Sequence, residues 1–318
     1  MARSLPLLRG RYIRCSCTPR VLGFLYPNNK LAIFSSKADV LVQNNMVISK
    51  LAPTDLSKLR GISILITGGA SGLGRSSAVL FANSGAFVTI ADVQDGSELA
   101  AELSGQGYNV QFVHCDVNDW NSQVRAFQAA LNFSPTKTLD MVAAFAGIDV
   151  TGHLVDHVLP TEVSLDGPPP PIPNLVSIEV NLKGGFYTAT LALHYLRLGS
   201  GGSTGDTTKA SKSLVIVSSL AGYIDDTHSS AYTASKFGSR GLFRAIRAQA
   251  HQQLNIRVNA ICPWAMKTPM IEGALQRMAD FGILPDKGIT LVPHDVLTQA
   301  LTRIAVDESI SGTSSIFI

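Results

Sequence analysis

The stretch "SSAYTASKFG", residues 229–238, places a tyrosine one helical turn before a lysine. In an α-helix, side chains four positions apart lie on the same face, so Tyr232 and Lys236 would be neighbours. A neighbouring ammonium group favours the phenolate and lowers a tyrosine pKa from its reference value of about 10. A phenol tuned in this way takes a proton from an alcohol or returns one to a ketone. The same spacing also occurs on helices without function, so the pair predicts chemistry only together with other residues.

A glycine-rich segment, "TGGASGLG" at residues 67–74, follows a short β-branched run and opens a helical pattern. Its glycines permit a tight turn and a close approach of the backbone to a phosphate, and the next helix N-terminus would bind a pyrophosphate. A turn that merely tolerates glycine is the competing interpretation. The strand–loop–helix context favours a dinucleotide site. The predicted cofactor loop consists of Gly68, Ser71, Gly72, Leu73 and Gly74.

Asp92 ends the next predicted strand, "AFVTIAD". A carboxylate at this position accepts hydrogen bonds from the adenine ribose and repels a 2′-phosphate, which favours NAD over NADP. Ser71 and Arg75 are close enough to weaken that preference, so NADP is the alternative cofactor. A plain strand-end cap is the competing interpretation of Asp92.

Alternating strand-like and helix-length segments would position these residues. The strand-like runs are "ISILIT", "AFVTIAD", "NVQFVHCDV", "LDMVAAFAG", "SLVIVSSLAG" and, closing the series, "IRVNAICP". This alternation predicts an α/β fold with a single doubly wound parallel sheet and helices on both faces. The proline run at 165–174 is predicted to lie outside helix and sheet interiors, and the Gly/Ser/Thr-rich segment 199–213 to be a surface loop.

The composition predicts a soluble protein with one large domain. The chain has 318 residues, 46% hydrophobic and 15% charged, and no apolar run approaches the ~18 residues that span a bilayer. Residues 1–45 carry seven Lys or Arg and one acid, so the remainder is mildly acidic despite the formal charge of +3. This argues against a nucleic-acid-binding surface. Two of the four cysteines, Cys15 and Cys17, lie near the start of the chain, and Cys115 and Cys262 show neither disulfide nor metal-ligand spacing, which predicts a reducing compartment and no metal site.

From residue 60 onward, the chain resembles the classical branch of the short-chain dehydrogenase/reductase family. The matching segments stand in family order: "TGGASGLG", "CDV", "AG", "VNL", "VSSLAG", "YTASK" and "CPWAMKT". The details "SSLAG", "ICPW" and "DESISG" are similar to enzymes of the 15-hydroxyprostaglandin dehydrogenase type. The resemblance implies an enzyme that interconverts a secondary alcohol and a ketone with NAD or NADP. It also implies a homodimer or homotetramer.

The resemblance assigns roles to individual residues. It implies that Tyr232 is the general base, that Ser219 binds the substrate oxygen, and that Lys236 tunes the tyrosine and binds the nicotinamide ribose. Asn181 would hold a water for proton relay. Ser218 is the alternative to Ser219, since adjacent strand residues face opposite sides. The further implied cofactor contacts are Asp116 and Val117 at the adenine, Ala146 and Gly147 along the cofactor, and Met266 and Thr268 at the carboxamide.

Two positions depart from the family pattern. Phe145 replaces an asparagine in "AFAG", and Trp264 replaces a glycine after Pro263. Trp264 would narrow the pocket or stack on a flat substrate, with loop packing as the alternative. The segment of about 268–292 is the predicted substrate lid, and its methionines and aliphatic residues would form a flexible apolar lining. We therefore expect an apolar small-molecule substrate such as a lipid, steroid, terpenoid or polyketide-like alcohol.

Residues 1–55 are predicted to be an N-terminal extension, and residues 56–318 a single Rossmann-type domain. The Arg-rich start suits a mitochondrial transit peptide, although Pro6, Gly10 and Pro19 interrupt any amphipathic helix. Translation from Met46 is a second interpretation. The cytoplasm is the favoured location, and the mitochondrion is the alternative.

Two other functions fit the same fold. The first is a non-catalytic dinucleotide-binding sensor or scaffold, against which the complete Ser/Tyr/Lys/Asn set argues. The second is an epimerase or dehydratase of the extended branch, whose glycines are spaced differently and whose chain normally adds a C-terminal substrate domain.

Overall fold

The structure is a computed structural model. It describes residues 54–150, 152–159, 163–198, 212–224, 229–280 and 291–317, and the strand backbones at 31–34, 40–43 and 46–49. The strands are β1 Leu31–Phe34, β2 Val40–Gln43, β3 Met46–Ser49, β4 Ser63–Thr67, β5 Phe87–Asp92, β6 Val110–His114, β7 Met141–Ala144, β8 Lys212–Val217, β9 Ile256–Pro263 and β10 Ser314–Phe317. The α-helices are α1 Gly72–Asn83, α2 Ser97–Gly105, α3 Trp120–Phe133, α4 Leu154–Val158, α5 Val176–Ile178, α6 Gly185–Tyr195, α7 Ser230–Leu254, α8 Pro269–Asp280 and α9 His294–Val306. Shorter helical turns are the 3₁₀ turns Leu56–Leu59 and Leu220–Gly222 and the π-helical turn Glu179–Gly184.

Eight of the described strands form one parallel sheet in the order β1-β10-β9-β8-β7-β4-β5-β6. The doubly wound α/β fold predicted from the sequence is confirmed. The strand order reverses between β4 and β7, and ligands of such sheets bind in the crevice outside the carboxyl ends of the strands at that point. β2 and β3 form a separate antiparallel pair.

The six predicted strands are all present, with ends shifted by a few residues. The prediction that "IRVNAICP" closes the series was wrong, because β10 adds a further strand beside β9. β1, which lies within the predicted N-terminal extension, pairs with β10 and was not anticipated. The domain boundary at residue 55 stays a prediction. The proline run has no helix or strand, as predicted, whereas residues 199–211 of the predicted surface loop lie outside the described residues.

The core consists of two apolar layers, one on each face of the sheet. In β4, successive side chains point into opposite layers. Ile64 and Ile66 belong to the layer under α1, α2 and α9, while Leu65 belongs to the layer under α3, α6 and α7. A strand buried on both faces reads as an almost unbroken apolar run, which is why "ISILIT" was recognisable. Among the described residues, no helix is long and apolar enough to cross a membrane.

Candidate active site

The predicted site residues converge at the carboxyl edge of the sheet. Asp92 is the last residue of β5, and Ser219 lies two residues beyond the end of β8. The glycine loop follows β4, "AG" at 146–147 follows β7, and the segment 264–268 follows β9. The carboxyl ends of neighbouring parallel strands meet at one edge, so distant parts of the chain share one crevice.

The glycine loop is folded so tightly that side chains do not fit at two positions. Gly68 has φ +69°, and a Cβ there would lie 2.6 Å from the amide nitrogen of Ala146. A Cβ on Gly74 would lie 2.1 Å from the carbonyl oxygen of Gly68. Ser71 is the N-cap of α1 but, among the described residues, makes no side-chain capping bond. The first amides of α1 therefore stay available, which fits the pyrophosphate of a dinucleotide.

The loop also contacts the base of the predicted lid. Gly72 has φ +52°, and a Cβ there would lie 3.4 Å from Cγ2 of Thr268. The Oγ1 of Thr268 accepts a hydrogen bond from Ile271 N at 3.3 Å, at the start of α8. Met266 is buried and pairs with Val292 in an isolated β-bridge. Both ends of the predicted lid are thus tied to the body of the protein, and residues 281–290 between them lie outside the described residues.

The Asp92 carboxylate accepts hydrogen bonds from two backbone amides. Its Oδ2 accepts from Ala70 N at 2.9 Å and its Oδ1 from Gln94 N at 3.0 Å. The carboxylate therefore braces the glycine loop, as the strand-cap interpretation expected. Each carboxylate oxygen can accept a further hydrogen bond, so this bracing leaves capacity for ribose hydroxyls.

The predicted adenine end lies between β6 and the π-helical turn. Val117 is buried, and a Cβ on Gly184 would lie 2.8 Å from Cγ2 of Val117. Asp116 is exposed, and its Oδ1 accepts from Asn118 N at 2.8 Å. The Oδ1 of Asn118 is buried without a hydrogen-bond partner among the described residues. A buried acceptor in this state is costly, and a ligand donor would satisfy it. No motif in the sequence marks Asn118.

Tyr232 and Lys236 are neighbours on α7. The Nζ of Lys236 lies 5.4 Å from the centroid of the Tyr232 ring and donates to Val217 O at 3.4 Å. The helix begins just before them, where the Oγ of Ser229 accepts from Tyr232 N at 3.3 Å. Tyr232 is half-buried at the crevice, so its phenol can reach a bound molecule.

Burial dominates the electrostatics of Lys236. The loss of hydration lowers the pKa of Lys236 from 10.5 to about 8, while Cys262 and Asp149 act in the opposite direction. Lys236 is therefore still mostly protonated at neutral pH and loses its charge above about pH 8. The contribution of Asp149 was missed, since nothing in the spacing of "AGID" relates it to a lysine far along the chain.

Ser219 and Ser218 point to different partners. Ser219 caps the 3₁₀ turn Leu220–Gly222, accepting from Ala221 N at 3.2 Å and donating to Pro263 O at 3.4 Å. Ser218 donates to the carbonyl oxygen of Lys236 at 3.0 Å and is thereby engaged with the backbone of α7.

Asn181 lies in a π-helical turn inside an otherwise α-helical segment. Its Oδ1 accepts from Ile148 N at 2.8 Å, and its Nδ2 donates to Ile148 O and to Ser235 Oγ, both at 2.9 Å. A Cβ on Gly147 would lie 3.2 Å from Asn181 Oδ1 and 3.5 Å from Lys236 Nζ. Asn181, Gly147 and Lys236 therefore meet at one point. Single π turns inside helices occur frequently at functional sites.

Exposed apolar side chains lie on the segments of the chain that follow the strands and turns of the site. Trp264 directly follows β9 and is 38% exposed, and Ile224 follows the Ser219 turn at 40%. Val150 and Met270 are exposed to a similar degree. Phe145 instead packs partly buried against the core layer under α1. Among the described residues, no group of His, Cys, Asp or Glu is arranged as metal ligands.

The comparison with known families agrees with this site. The profile of the family described as short chain dehydrogenase matches residues 63–279. The chain belongs to this family, and the resemblance stated from the motifs is confirmed. It is an oxidoreductase that interconverts a secondary alcohol and a ketone with NAD or NADP.

Two similar relatives carry one name. The 5′-hydroxyaverantin dehydrogenase of Dothistroma septosporum is 43% identical over 265 residues, covering 81% of this chain and 84% of that protein. The enzyme of the same name from Emericella nidulans is 41% identical over 261 residues, with coverages of 81% and 84%. An NADP-dependent dehydrogenase of Cochliobolus lunatus is 32% identical over 206 residues, 64% of this chain and 71% of that protein.

A solved structure shares the fold. The 3-hydroxyacyl-CoA dehydrogenase type-2 of Mycobacterium avium superposes with a TM-score of 0.63 at 27% identity, covering 82% of this chain and 96% of that chain. The finer likeness to 15-hydroxyprostaglandin dehydrogenases stays a prediction.

Proposed function

We propose that the protein is an NAD-dependent dehydrogenase that oxidises a secondary alcohol on an apolar, polyketide-type molecule, as an enzyme of secondary metabolism. The observation that carries the proposal is the convergence of Tyr232, Lys236, Ser219 and Asn181 at one crevice beside the glycine loop. A sensor that only binds a dinucleotide has no need of this set.

Each of the four residues has a role in the proposed reaction. The phenolate oxygen of Tyr232 removes the hydroxyl proton, and the Oγ of Ser219 donates to the same substrate oxygen and holds it in place. The charge of Lys236 favours the phenolate. Asn181 would hold the water of a proton relay beneath Lys236. Ser218 is a poorer candidate than Ser219 because its hydroxyl is committed to the carbonyl of Lys236.

The cofactor would be held along the carboxyl edge of the sheet, from β6 across β5, β4 and β7 to the segment after β9. A bound NAD would supply the acceptor for the hydride that leaves the carbinol carbon. The residues proposed to hold it are Gly68, Ser71, Gly72, Leu73, Gly74, Asp92, Asp116, Val117, Ala146, Gly147, Tyr232, Lys236, Met266 and Thr268. We favour NAD because Asp92 is a carboxylate at the ribose position and no Lys or Arg stands between it and Ser97. The NADP-dependent relative keeps NADP as the alternative.

The substrate proposal rests on two observations. Both 5′-hydroxyaverantin dehydrogenases match most of this chain, and the apolar side chains of Val150, Ile224, Trp264 and Met270 are exposed on segments that follow β7, β8 and β9. A flat, largely apolar molecule that bears a secondary hydroxyl would stack on the indole of Trp264 and place its alcohol at Tyr232.

We also propose a homo-oligomer in the cytoplasm. Phe186 on α6 and Phe237 on α7 are 48% and 44% exposed, on the helical segments that bear Asn181 and Tyr232 and that form the usual dimer face of this family. Burial of these rings against a second copy would remove exposed apolar surface.

The test is turnover of purified full-length protein with 5′-hydroxyaverantin and a panel of lipid, steroid, terpenoid and sugar alcohols, each with NAD and NADP. Tyr232→Phe should lower kcat at least ~10²-fold while NAD still binds, because only the ionisable oxygen is lost. Tyr187→Phe is the matched control, since the ring of Tyr187 on α6 packs edge-on against Trp120 at the start of α3. Full turnover by Tyr232→Phe would remove the tyrosine as the base, and tighter binding of NADPH than NADH would reverse the cofactor assignment. Cofactor binding without turnover of any alcohol would favour the sensor.

A further inference from the structure

Arg240 contacts the turn that carries Ser219. It lies one helical turn after Lys236 on the same face of α7. Its Nη1 donates to the carbonyl oxygen of Gly222 at 3.2 Å, and its Cζ lies 3.9 Å from the centroid of the Tyr223 ring. One guanidinium therefore holds both the end of the 3₁₀ turn and the aromatic residue that follows it, through a charge-assisted hydrogen bond and a cation–π contact.

Tyr223 is anchored on its other side to the sheet. Its hydroxyl is hydrogen bonded to the Oγ of Ser314, the first residue of β10, at 2.5 Å. Ser314 is buried and lies 3.5 Å from the Sγ of Cys262 in β9. Burial raises the pKa of Tyr223 to about 12, so this phenol stays protonated over the range in which a dehydrogenase is assayed. It serves as a fixed link between the turn and the sheet.

The turn and α7 are in direct backbone contact at Lys236. A Cβ on Gly222 would lie 2.8 Å from the carbonyl oxygen of Lys236 and 3.1 Å from the Oγ of Ser218. Any displacement of the turn therefore moves Ser219 relative to Lys236 and Tyr232. The hydrogen bonds that the Ser219 hydroxyl makes with Ala221 N and Pro263 O, at 3.2 and 3.4 Å, are long and hold it weakly.

We infer that Arg240 and Tyr223 form a clamp that sets the position of the Ser219 hydroxyl relative to the Tyr232 phenol. Both are positioning residues. A displacement of about 1 Å in a catalytic group costs about 10²-fold in rate. If the turn were held at one end only, the Ser219 hydroxyl would therefore be a poor hydrogen-bond donor to the substrate oxygen. The inference rests on the role of Ser219 in the proposed function.

The first test needs no substrate. Arg240→Met removes the guanidinium and keeps the aliphatic stem, and Arg244→Met removes a charge one turn further along, at an exposed position. Hydrogen exchange of the full-length, cofactor-free protein is measured at the amides of Gly222 and Tyr223, which donate to Ser219 O and Leu220 O. Arg240→Met should speed exchange at these amides at least ~10-fold, the scale of one lost charged hydrogen bond, while Arg244→Met leaves it unchanged. Unchanged exchange, or an equal increase throughout β8 and β9, would overturn the clamp.

The second test is a double-mutant cycle in turnover, with 5′-hydroxyaverantin or, if the wild type rejects it, the panel alcohol that it oxidises. Arg240→Met should lower kcat about 10- to 100-fold without changing the Kd for NAD(H). In a Ser219→Ala background, it should have no further effect, because a clamp acts through the serine. Arg240→Lys keeps a cation over the ring and should recover part of the rate. Equal losses in both backgrounds would overturn the inference. Full activity of Ser219→Ala would instead contradict the serine's role in the proposed function, and the inference would fall with it.

Discussion

Lys236 should cost the protein stability, and the cost can be measured. Its side chain is 6% exposed, and burial lowers its pKa from 10.5 to about 8. One pKa unit corresponds to about 1.4 kcal/mol, so this lowering corresponds to about 3 kcal/mol of free energy of unfolding. Lys236→Met removes the ionisable group and keeps an unbranched chain. We expect the variant to be inactive and, at pH 7, more stable than the wild type by about 3 kcal/mol.

The dependence on pH identifies the cause. Between pH 8 and 10.5, the unfolded lysine is protonated while the folded one is neutral, so the unfolded state binds more protons. The stability of the wild type therefore rises with pH across this window and is lost again as the pH falls through 8. The Lys236→Met variant lacks the amine, so its free energy of unfolding does not change with pH in this way. Its advantage should be largest below pH 8 and should shrink towards pH 10.5.

Urea unfolding of cofactor-free protein at pH 7, 8, 9 and 10 measures the difference between the two proteins. Lys183→Met is the matched control, because Lys183 is ion-paired with Glu179 near the surface and its pKa is raised by that hydrogen bond rather than lowered by burial. The difference in free energy of unfolding between Lys183→Met and the wild type should not increase below pH 8. Parallel stability curves for Lys236→Met and wild type would show that the amine is not desolvated in the folded protein.

Two further predictions follow from the packing around the cofactor loop. Gly74→Ala places a Cβ 2.1 Å from a backbone oxygen and should lower the free energy of unfolding by more than about 2 kcal/mol. Gly241 is a helical position with open space around it, so Gly241→Ala should raise the free energy of unfolding by up to about 1 kcal/mol. Thermal unfolding that ranks the two variants in the opposite order would refute this packing. His294→Ala should lower the free energy of unfolding by about 1–3 kcal/mol and weaken NAD(H) binding, because its ring bonds Ser76 Oγ at 2.8 Å and Lys267 O at 2.6 Å and so ties α1 to the base of the lid. Fluorescence titration showing an unchanged Kd would contradict the second half of that expectation.

The sheet was predictable from the sequence because its central strands are buried on both faces. Short runs such as "ISILIT" and "IRVNAICP" favour buried strands because glycine turns and helix-length segments separate them. β10, "SSIF", was missed because it is short, begins with two serines and lies near the chain end. Those serines are buried by pairing with β9, a long-range contact that no local pattern announces.

Part of the site was predictable for a similar reason. Tyr232 and Lys236 are four residues apart on one helix, so helical geometry alone makes them neighbours. The π-helical turn at Asn181 was not predictable, since its residues suit an ordinary α-helix and the side-chain bonds that accompany it reach Ile148 and Ser235. Arg240 likewise gave no signal, because its partner Tyr223 stands on a separate element before α7.

The order of strands in the sheet has a consequence for synthesis on the ribosome. β1 emerges before them but pairs with β10, which is made last. β4, β5 and β6 with their helices are therefore the first neighbouring strands of the sheet to emerge, so the dinucleotide half can begin to fold while the catalytic half is still being made. One edge of β4 then stays open until β7 arrives, a delay of roughly 1–5 seconds at about 5–20 residues per second. An open parallel edge is prone to pairing with other chains. Nascent chains truncated between His114 and Met141 should therefore require chaperone protection, and chains that include β7 and β8 should lose this requirement.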